Sequence, residues 1–566
     1  MLFVLLVLAG AIVAVVILRE GSPGARVALA YARAWAAHRY EAAYQLLAPS
    51  QRANLSEEAF AGRCERALLT ATATGAQVGR SAAAGPNGTY LVQVTVRTRL
   101  FGTLRERFVL PVTTVAGKPY IAYNPSILFP GVPLDATLAR ETELPPRAAI
   151  LAREGTPLAE GQRSPSLGEG PRPSPLGAAA EAVAGDVAPV RALPQSRRLE
   201  LEGEGVPPQA MVGTSGLELY FDRQLRGRPG GRLFAGTRTL ATVSPREGEP
   251  LRTTISPAVQ RAAVAGLGGR LGSVVAIDPR SGEVLALAGL GANVLQPPGS
   301  TFKIITASAV LENHLAGLET TFPYRTATVL EGYKLENAGG ESCGGTLIEA
   351  FAVSCNSVFV PLGVELGARR LVAMAEAFGF NHPLPLPGAL TSTIPPANQI
   401  KTEVEVGSTA IGQGRVLASP LQMALAAATV GEGGIEPSPR IQPGGGGGRR
   451  VLKPATAAAV ATLMRAVVTI GIGGAAAIPG VEVAGKTGTA ELGSNPCGGA
   501  PEAGGGEGKG AGCAAAERAN TDAWFAAFAP VRNPRVAVGV LVVRAGYGGE
   551  TAAPIARQVI EAALGL

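Results

Sequence analysis

The stretch Pro297-Pro-Gly-Ser-Thr-Phe-Lys303 decides how this chain is interpreted. Prolines are excluded from helix interiors, and helical apolar spacing starts directly after them at Phe302, so Ser300 is expected near a helix N-terminus. Free N–H groups and the helix dipole favour developing negative charge there. Lys303 follows one turn later, and burial beside a second cation would lower its pKa enough for it to take the Ser300 proton. Taken alone, Ser-x-x-Lys is equally a serine cap followed by a surface lysine.

Two further motifs follow, 54 and 186 residues after Ser300. Ser354-Cys-Asn356 offers a hydroxyl to relay a proton to the leaving amine and an amide that could bond both Lys303 and a substrate carbonyl. Taken alone, this tripeptide is equally an ordinary Ser/Asn pair in a loop or at a helix cap.

The third motif, Lys486-Thr487-Gly488-Thr489, ends a predicted strand. Lys486 and Thr487 are expected to bind a carboxylate, and Gly488 to let a substrate backbone approach closely. The backbone N–H groups of Thr489 and Ser300 would form an oxyanion hole.

In this order and spacing the three motifs resemble the active-site elements of penicillin-recognising acyl-serine enzymes. Together with Gly412-Gln-Gly414 and Asp522-Ala-Trp-Phe525, they make the chain similar to class B penicillin-binding proteins. The resemblance is most specific over 251–566. It implies that Ser300 attacks the penultimate D-Ala carbonyl of a peptidoglycan stem peptide and that an amine from a neighbouring strand resolves the acyl-enzyme.

The same resemblance implies acylation by β-lactams, no metal and no organic cofactor. No segment resembling a glycosyltransferase domain precedes the connector, so a membrane glycosyltransferase partner is expected. Nucleic-acid binding is not supported, because the net charge of +7 is spread along the chain without a basic block.

The predicted fold is multidomain α+β. A small α+β cone domain at 24–125 resembles the MecA-type N-terminal domain, on the segment Arg33-Ala-Trp35 to Leu47. A connector follows at 126–250, with disorder predicted over the Pro-, Gly-, Ala- and Glu-rich stretch 160–206. The resemblance implies that residues 251–566 form a transpeptidase domain.

Within the connector, Pro145-Pro-Arg147 and the residues after it resemble the family's pedestal motif. Ala148 and Ala152 replace the usual Gly and Asp, which puts the salt bridge of that Asp in doubt.

The C-terminal domain is predicted to be an α/β sandwich of the serine β-lactamase type, with a five-stranded antiparallel sheet. A hairpin supplies two strands, and apolar runs near 481–489, 522–528 and 536–543 supply three more. A helical insertion at about 300–470 separates strands two and three, and a final helix spans 552–564.

Residues 1–20 contain an uncharged run, Leu2 to Leu18, at the short end of what spans a membrane. An uncleaved single-pass anchor is favoured over a cleaved signal peptide because no basic region precedes the run. The cell-wall chemistry that the motifs imply indicates that the bulk of the chain is extracytoplasmic.

An exported chain can oxidise its five cysteines, and two disulfides with Cys64 free are expected. Cys343 and Cys355 flank the start of the second motif, while Cys497 and Cys513 bracket a Gly-rich loop. Five unpaired thiols are the alternative. With three histidines in the chain, a metal site is not expected.

Three functions compete. The first is a D,D-transpeptidase. The second is a hydrolase of the same fold, either a D,D-carboxypeptidase or a β-lactamase, although no sequence signal marks the water-activating carboxylate that a β-lactamase needs. The third is a catalytically idle scaffold or β-lactam sensor, which the intact motifs argue against.

Overall fold

The computed structural model describes residues 21–161, 168–492 and 520–566. The anchor expected at residues 1–20 and the Gly-rich loop expected at 493–519, with its cysteines Cys497 and Cys513, lie outside the described residues. Within the described part, none of the helices combines the length and the apolar content that crossing a membrane requires.

The N-terminal unit places four helices before a four-stranded antiparallel sheet. The helices are α1 (Pro23–Ala36), α2 (Tyr40–Gln45), α3 (Pro49–Arg52) and α4 (Glu57–Thr70). The strands pair in chain order and are β1 (Ala73–Ala84), β2 (Thr89–Thr98), β3 (Thr103–Val115) and β4 (Lys118–Ile121). The periodicity over 25–47 divides into two helices, because His38 adopts a φ of 56° between α1 and α2.

The core of this unit is aromatic and extends beyond the expected boundary at residue 125. The Trp35 ring packs edge-on against Phe108 at 5.0 Å between ring centroids, and its Nε1 donates to the Leu128 carbonyl at 3.0 Å. Phe129 and Val132 are buried in the same core. The boundary at 125 is therefore too early, since the chain after β4 still packs on these aromatic side chains.

The connector is built from short strands and helices. The strands are β5 (Leu138–Glu143), β6 (Ile150–Leu151), β7 (Pro157–Ala159), β8 (Gly170–Pro171), β9 (Asp186–Pro189), β10 (Met211–Gly213), β11 (Gly230–Ala235) and β12 (Arg238–Val243). The helices are α5 (Ala178–Ala184), α6 (Gln195–Gly203), α7 (Gly216–Tyr220) and α8 (Asp222–Arg226).

The prediction of disorder over 160–206 is wrong for the residues described there, 168–206. Ala180 and Val183 of α5 are buried in the core of the C-terminal domain. Gln260 of that domain donates from Nε2 to the Ala179 carbonyl at 3.0 Å. The alanine-rich composition suggested low complexity, but alanine lets a short helix approach its neighbour closely enough to bury its face.

Buried ion pairs join distant parts of the connector. Arg147 donates from Nε to Glu218 at 2.7 Å and from Nη1 to Asp222 at 2.8 Å. Arg172 donates to the other Glu218 oxygen at 2.5 Å. Position 152 is a buried alanine, which has no carboxylate to offer. The carboxylates that pair with Arg147 come from α7 and α8 instead.

The C-terminal domain opens with β13 (Leu251–Arg252), which pairs in parallel with β6. Ser256 occupies the N-cap position of the first helix, as predicted, but its hydroxyl makes no capping bond. The helices are α9 (Pro257–Leu267), α10 (Lys303–Glu312), α11 (Leu347–Ala352), α12 (Asn356–Leu366), α13 (Ala368–Ala377), α14 (Glu403–Ala410), α15 (Pro420–Gly431), α16 (Pro454–Thr469) and α17 (Gly548–Leu564).

The remaining strands of this domain are β14 (Gly272–Ile277), β15 (Val284–Gly289), β16 (Thr321–Arg325), β17 (Ala327–Leu330), β18 (Tyr333–Glu336), β19 (Cys343–Thr346), β20 (Ile435–Pro437), β21 (Gly448–Arg450), β22 (Ala484–Glu491), β23 (Thr521–Ala529) and β24 (Val536–Val542). Five of them form an antiparallel sheet in the order β15-β14-β24-β23-β22. This sheet confirms the predicted fold class.

Helices cover both faces of the five-stranded sheet. On one face, Phe525 of β23 lies in a core with Val559 of α17 and residues of α9. On the other face, Trp524 shares a core with Leu421 of α15 and with the inserted helices. Every residue of β14, β23 and β24 is consequently buried, and their sequences are almost wholly apolar.

Candidate active site

Ser300 lies in a single 3₁₀ turn, Gly299–Phe302, that leads directly into α10. The N–H of Gly299 donates to the Gly412 carbonyl at 3.0 Å, which fixes the entry of this turn. Ser300 is half-buried, so its hydroxyl stays accessible while its backbone is held at the start of a helix.

Lys303, the first residue of α10, is fully buried beneath Ser300. Its Nζ lies 3.0 Å from Ser300 Oγ and 2.6 Å from Asn356 Oδ1. It also donates to the Ser354 carbonyl at 2.7 Å. The side chains of the first two motifs therefore meet at one amine.

Ser354 occupies the turn between α11 and α12 with a φ of 62°, a conformation that costs free energy for any residue with a Cβ. Its Oγ lies 3.2 Å from Lys303 Nζ and accepts from Lys486 Nζ at 2.8 Å. A continuous hydrogen-bonded path thus runs from Ser300 through Lys303 and Ser354 to Lys486 on β22.

Both lysines sit in surroundings that disfavour their charged forms. Burial lowers the pKa of Lys303 well below its ordinary value, and the nearby Lys486 ammonium lowers it further. Burial alone lowers the pKa of Lys486 to about 7. The Lys303 Nζ lies 5.6 Å from the centroid of the Phe359 ring, and the Lys486 Nζ lies 5.4 Å from that of Phe351. A neutral Lys303 amine is the form that can accept the hydroxyl proton of Ser300.

Strand β22 presents an unsatisfied hydroxyl beside this path. Thr487 is buried, and its Oγ1 has no hydrogen-bond partner within the described residues. A buried polar atom without a partner is costly unless a ligand or water completes it. Thr487 and Lys486 together suit an anionic ligand group.

Gly488 lies against the turn that carries Ser300. A Cβ at this position would lie 2.7 Å from the Pro298 carbonyl oxygen and 3.0 Å from Thr301 Cγ2. The absent side chain therefore makes room for the turn that carries Ser300.

Cys343 and Cys355 form a disulfide that places β19 against the second motif. A neighbouring hairpin, β17–β18, also contacts this motif, because Asn356 donates from Nδ2 to the Glu336 carbonyl at 2.8 Å. Sequence reasoning missed both this hairpin contact and the two phenylalanine rings. The rings were readable only as helical core positions, and the carbonyl of Glu336 has no sequence signature.

No carboxylate hydrogen-bonds to Ser300, Lys303, Ser354 or Lys486 in the part of the chain that the structure describes. Across the same residues, no cluster of His, Cys, Asp and Glu is suited to a metal ion. The site can supply a nucleophilic hydroxyl, a neutral amine next to it, a relay hydroxyl and a cationic end.

Sequence comparison matches residues 272–561 to the penicillin binding protein transpeptidase domain family and residues 169–239 to the penicillin-binding protein dimerisation domain family. Peptidoglycan D,D-transpeptidase PbpA of Mycobacterium tuberculosis is 34% identical over 413 residues, covering 61% of this chain and 77% of that protein. PbpA of Mycolicibacterium smegmatis is 35% identical over 428 residues, covering 62% and 80%.

Solved structures agree. Penicillin-binding protein A from M. tuberculosis in its penicillin G acyl-enzyme complex has a TM-score of 0.57 at 29% identity, covering 74% of this chain and 99% of that one. The D,D-transpeptidase domain of a peptidoglycan glycosyltransferase from Eggerthella lenta has a TM-score of 0.57 at 26% identity, covering 74% and 98%.

Proposed function

The chain belongs to the penicillin-binding protein transpeptidase family, as a class B member, and from this premise we propose how its residues perform the reaction. The protein is a peptidoglycan D,D-transpeptidase that works through an acyl-serine intermediate and is acylated by β-lactams. The observation that carries the assignment of roles is the position of the buried Lys303 Nζ, 3.0 Å from Ser300 Oγ and in contact with the other motifs.

In the acylation half-reaction, Ser300 Oγ loses its proton to Lys303 Nζ and forms a bond to the penultimate D-Ala carbonyl carbon. The backbone N–H groups of Ser300 and Thr489 hold the resulting oxyanion. When the tetrahedral intermediate collapses, the bond to the terminal D-Ala nitrogen breaks. The proton travels through Ser354 Oγ to that leaving amine.

In the second half-reaction, the amine of a neighbouring stem peptide attacks the acyl carbon and gives its proton back along the same path. Ser300 leaves as a hydroxyl, and a new peptide bond remains. Asn356 bonds the substrate amide with its free amide hydrogen, while Lys486 and Thr487 bind the terminal carboxylate. Thr487 Oγ1 has no hydrogen-bond partner among the residues that the structure describes, which supports this last role.

The site also supports transpeptidation over β-lactam hydrolysis. A β-lactamase needs a carboxylate to activate water at the acyl-enzyme, and the described hydrogen-bond partners of the four central side chains include none. A long-lived acyl-enzyme is expected when β-lactam replaces the natural donor.

Outside the catalytic domain, residues 1–20 act as a single-pass membrane anchor, and the bulk of the chain lies outside the cytoplasm. The N-terminal unit, from residue 24 to beyond residue 125, is a MecA-type domain that serves as a spacer or a docking unit. A membrane glycosyltransferase supplies the glycan strands. Co-purification of the full-length chain with such a polymerase, lost when residues 1–20 are exchanged for an unrelated anchor, would support this partner.

The first test is intact mass of the full-length protein after incubation with benzylpenicillin. We expect a stable adduct on the native chain and none on Ser300→Ala. Ser50→Ala, which changes an exposed serine of the N-terminal unit, is the control and should form the adduct. Rapid loss of the drug without an adduct would instead indicate a β-lactamase. Donor peptide incubated with an acceptor amine then separates transpeptidation from carboxypeptidation by the mass of the product.

A further inference from the structure

A basic cleft lies where the N-terminal unit meets the connector, outside the catalytic site. It has a volume of about 330 Å³, and its lining includes four arginines and one glutamate: Arg99, Arg223, Arg226, Arg228 and Glu204. This volume is at the lower end of the range for small-molecule sites, roughly 300–1,000 Å³. Two separate stretches of the chain contribute the arginines, one with Arg99 and the other with Arg223, Arg226 and Arg228, so the concentration of charge is a product of the fold.

The charge of one of the four arginines, Arg226, is already neutralised by carboxylates of the protein. Arg226 is buried, donates from Nε to Asp222 at 2.8 Å and also pairs with Glu204. Gly227 follows with a φ of 67°, and a Cβ there would lie 2.3 Å from the Arg246 carbonyl oxygen. The backbone between Arg226 and Arg228 is therefore fixed by its neighbours.

The other three arginines carry uncompensated charge. Arg99, Arg223 and Arg228 are exposed, and their side chains have no ion-pair or hydrogen-bond partner among residues 21–161, 168–492 and 520–566. Arginine stays protonated at any physiological pH, and like charges that converge on a concave surface repel one another. Such an arrangement favours binding of an anion.

The hairpin that contributes Arg99 is held in place on both sides. The Arg99 N–H donates to the Thr72 carbonyl at 2.9 Å, and the Leu100 N–H donates to Thr72 Oγ1 at 3.1 Å. On the connector side, Gly205 approaches so closely that a Cβ would lie 2.5 Å from Leu100 Cδ2. The backbone of the cleft is thus formed in advance of any ligand.

We propose that this cleft binds a diphosphate group, with the guanidinium groups of Arg99, Arg223 and Arg228 as its ligands. Guanidinium groups pair with phosphate oxygens in a bidentate fashion. A diphosphate carries more negative charge and more acceptor oxygens than one carboxylate or one phosphate, and so matches three converging guanidinium groups better. All the lining residues except Leu100, Gly227 and Pro229 are charged, so recognition is electrostatic and weakens with salt.

The test is calorimetric titration of the full-length protein with pyrophosphate at low ionic strength, beside inorganic phosphate and acetate. Pyrophosphate is expected to bind most tightly. Each of Arg99→Gln, Arg223→Gln and Arg228→Gln should weaken it by roughly tenfold, as loss of a charged hydrogen bond does, and the triple variant should not bind measurably. Arg261→Gln, which removes an exposed arginine on α9, is the matched control.

Unchanged pyrophosphate affinity in the triple variant, or no binding to the native chain, would overturn the proposal, as would equally tight binding of phosphate or acetate. Benzylpenicillin acylation of the triple variant should equal that of the native chain. This second measurement shows that the variant is folded, and it keeps failure of the cleft separate from failure of the catalytic assignment.

Discussion

At the scale of single residues, the catalytic path depends on two buried amines with different protonation requirements. Lys303 must be neutral to take the Ser300 proton, and its pKa is lowered well below the ordinary value by burial and by Lys486. Lys486 must be charged to attract a carboxylate, and burial lowers its pKa to about 7. The two requirements overlap only over a limited range of pH.

The second-order rate constant for acylation by benzylpenicillin should therefore fall as pH rises through about 7. Above that pH the free enzyme holds Lys486 neutral, and the rate constant should decrease by about tenfold per pH unit. The drug's carboxylate is then no longer attracted to the site. Stopped-flow measurement of acylation across this range checks the sign.

Lys486→Gln is the matched variant for this prediction. It should acylate slowly at every pH and should lack the decrease above neutrality, because no ammonium group remains to titrate at that position. A decrease of the same steepness in both proteins would assign the titration to another group.

The residues of this path could be predicted from sequence because the chemistry fixes their types and spacing. Ser300 and Lys303 lie one helical turn apart, and the structure brings Ser354, Asn356 and Lys486 to them. The positive φ of Ser354 and the rings of Phe351 and Phe359 could not be predicted. They arise from how α11 and α12 pack, which no local pattern encodes.

At the scale of elements, β22 packs directly against the turn that carries Ser300, and this contact is possible because Gly488 has no side chain. Gly488→Ala would place a Cβ 2.7 Å from the Pro298 carbonyl oxygen and 2.9 Å from Trp524 Cβ, so strand and turn must separate. The expected cost is about 1–3 kcal/mol of unfolding free energy, together with slower acylation. Denaturant unfolding and the acylation rate measure the two effects.

Gly447→Ala is the control for this change, because a Cβ at Gly447 would meet no atom within 4 Å. It should leave both stability and acylation near native values. If Gly488→Ala were as stable and as fast as Gly447→Ala, the contact between β22 and the turn would not limit the site.

The Cys343–Cys355 disulfide connects β19 to the turn that holds Ser354 and Asn356. Closing a short loop of this kind stabilises a fold by about 2–4 kcal/mol. Reduction of the native protein should therefore lower its melting temperature and slow acylation, because Ser354 and Asn356 lose a covalent support. Melting curves and acylation rates with and without dithiothreitol make the comparison.

The double variant Cys343→Ala/Cys355→Ala separates this bond from the other cysteines. It should resemble the reduced native protein and should not change further with dithiothreitol. A further change in the double variant would mean that another cysteine pair accounts for part of the effect.

Strand positions of the catalytic sheet followed from apolar runs, since strands covered on both faces need apolar residues throughout. The same reasoning failed at α5, where alanine and glycine suggested disorder. Helix α5 is buried against α9, which belongs to another domain. A segment whose partner is distant in sequence carries little of its own signal.

At the scale of the whole molecule, the buried ion pairs of the connector hold together segments that are up to 75 residues apart. Arg147 and Glu218 are almost fully shielded from solvent, with side chains 2% and 0% exposed. A buried charge whose partner is removed has neither water nor a counter-ion to stabilise it. The connector should therefore be sensitive to single changes there while the catalytic motifs stay intact.

Arg147→Met should lower the free energy of unfolding by about 3–5 kcal/mol, because Glu218 and Asp222 lose a shared partner in the interior. Glu218→Gln should have an effect of the same sign, since Arg147 and Arg172 both donate to that carboxylate. Arg197→Met removes the exposed pair with Glu200 and should cost no more than about 1 kcal/mol. Thermal and denaturant unfolding of the full-length proteins measure these differences, with benzylpenicillin acylation at low temperature showing that the catalytic site still forms. Equal losses for Arg147→Met and Arg197→Met would mean that burial of this network does not determine how the connector is held together.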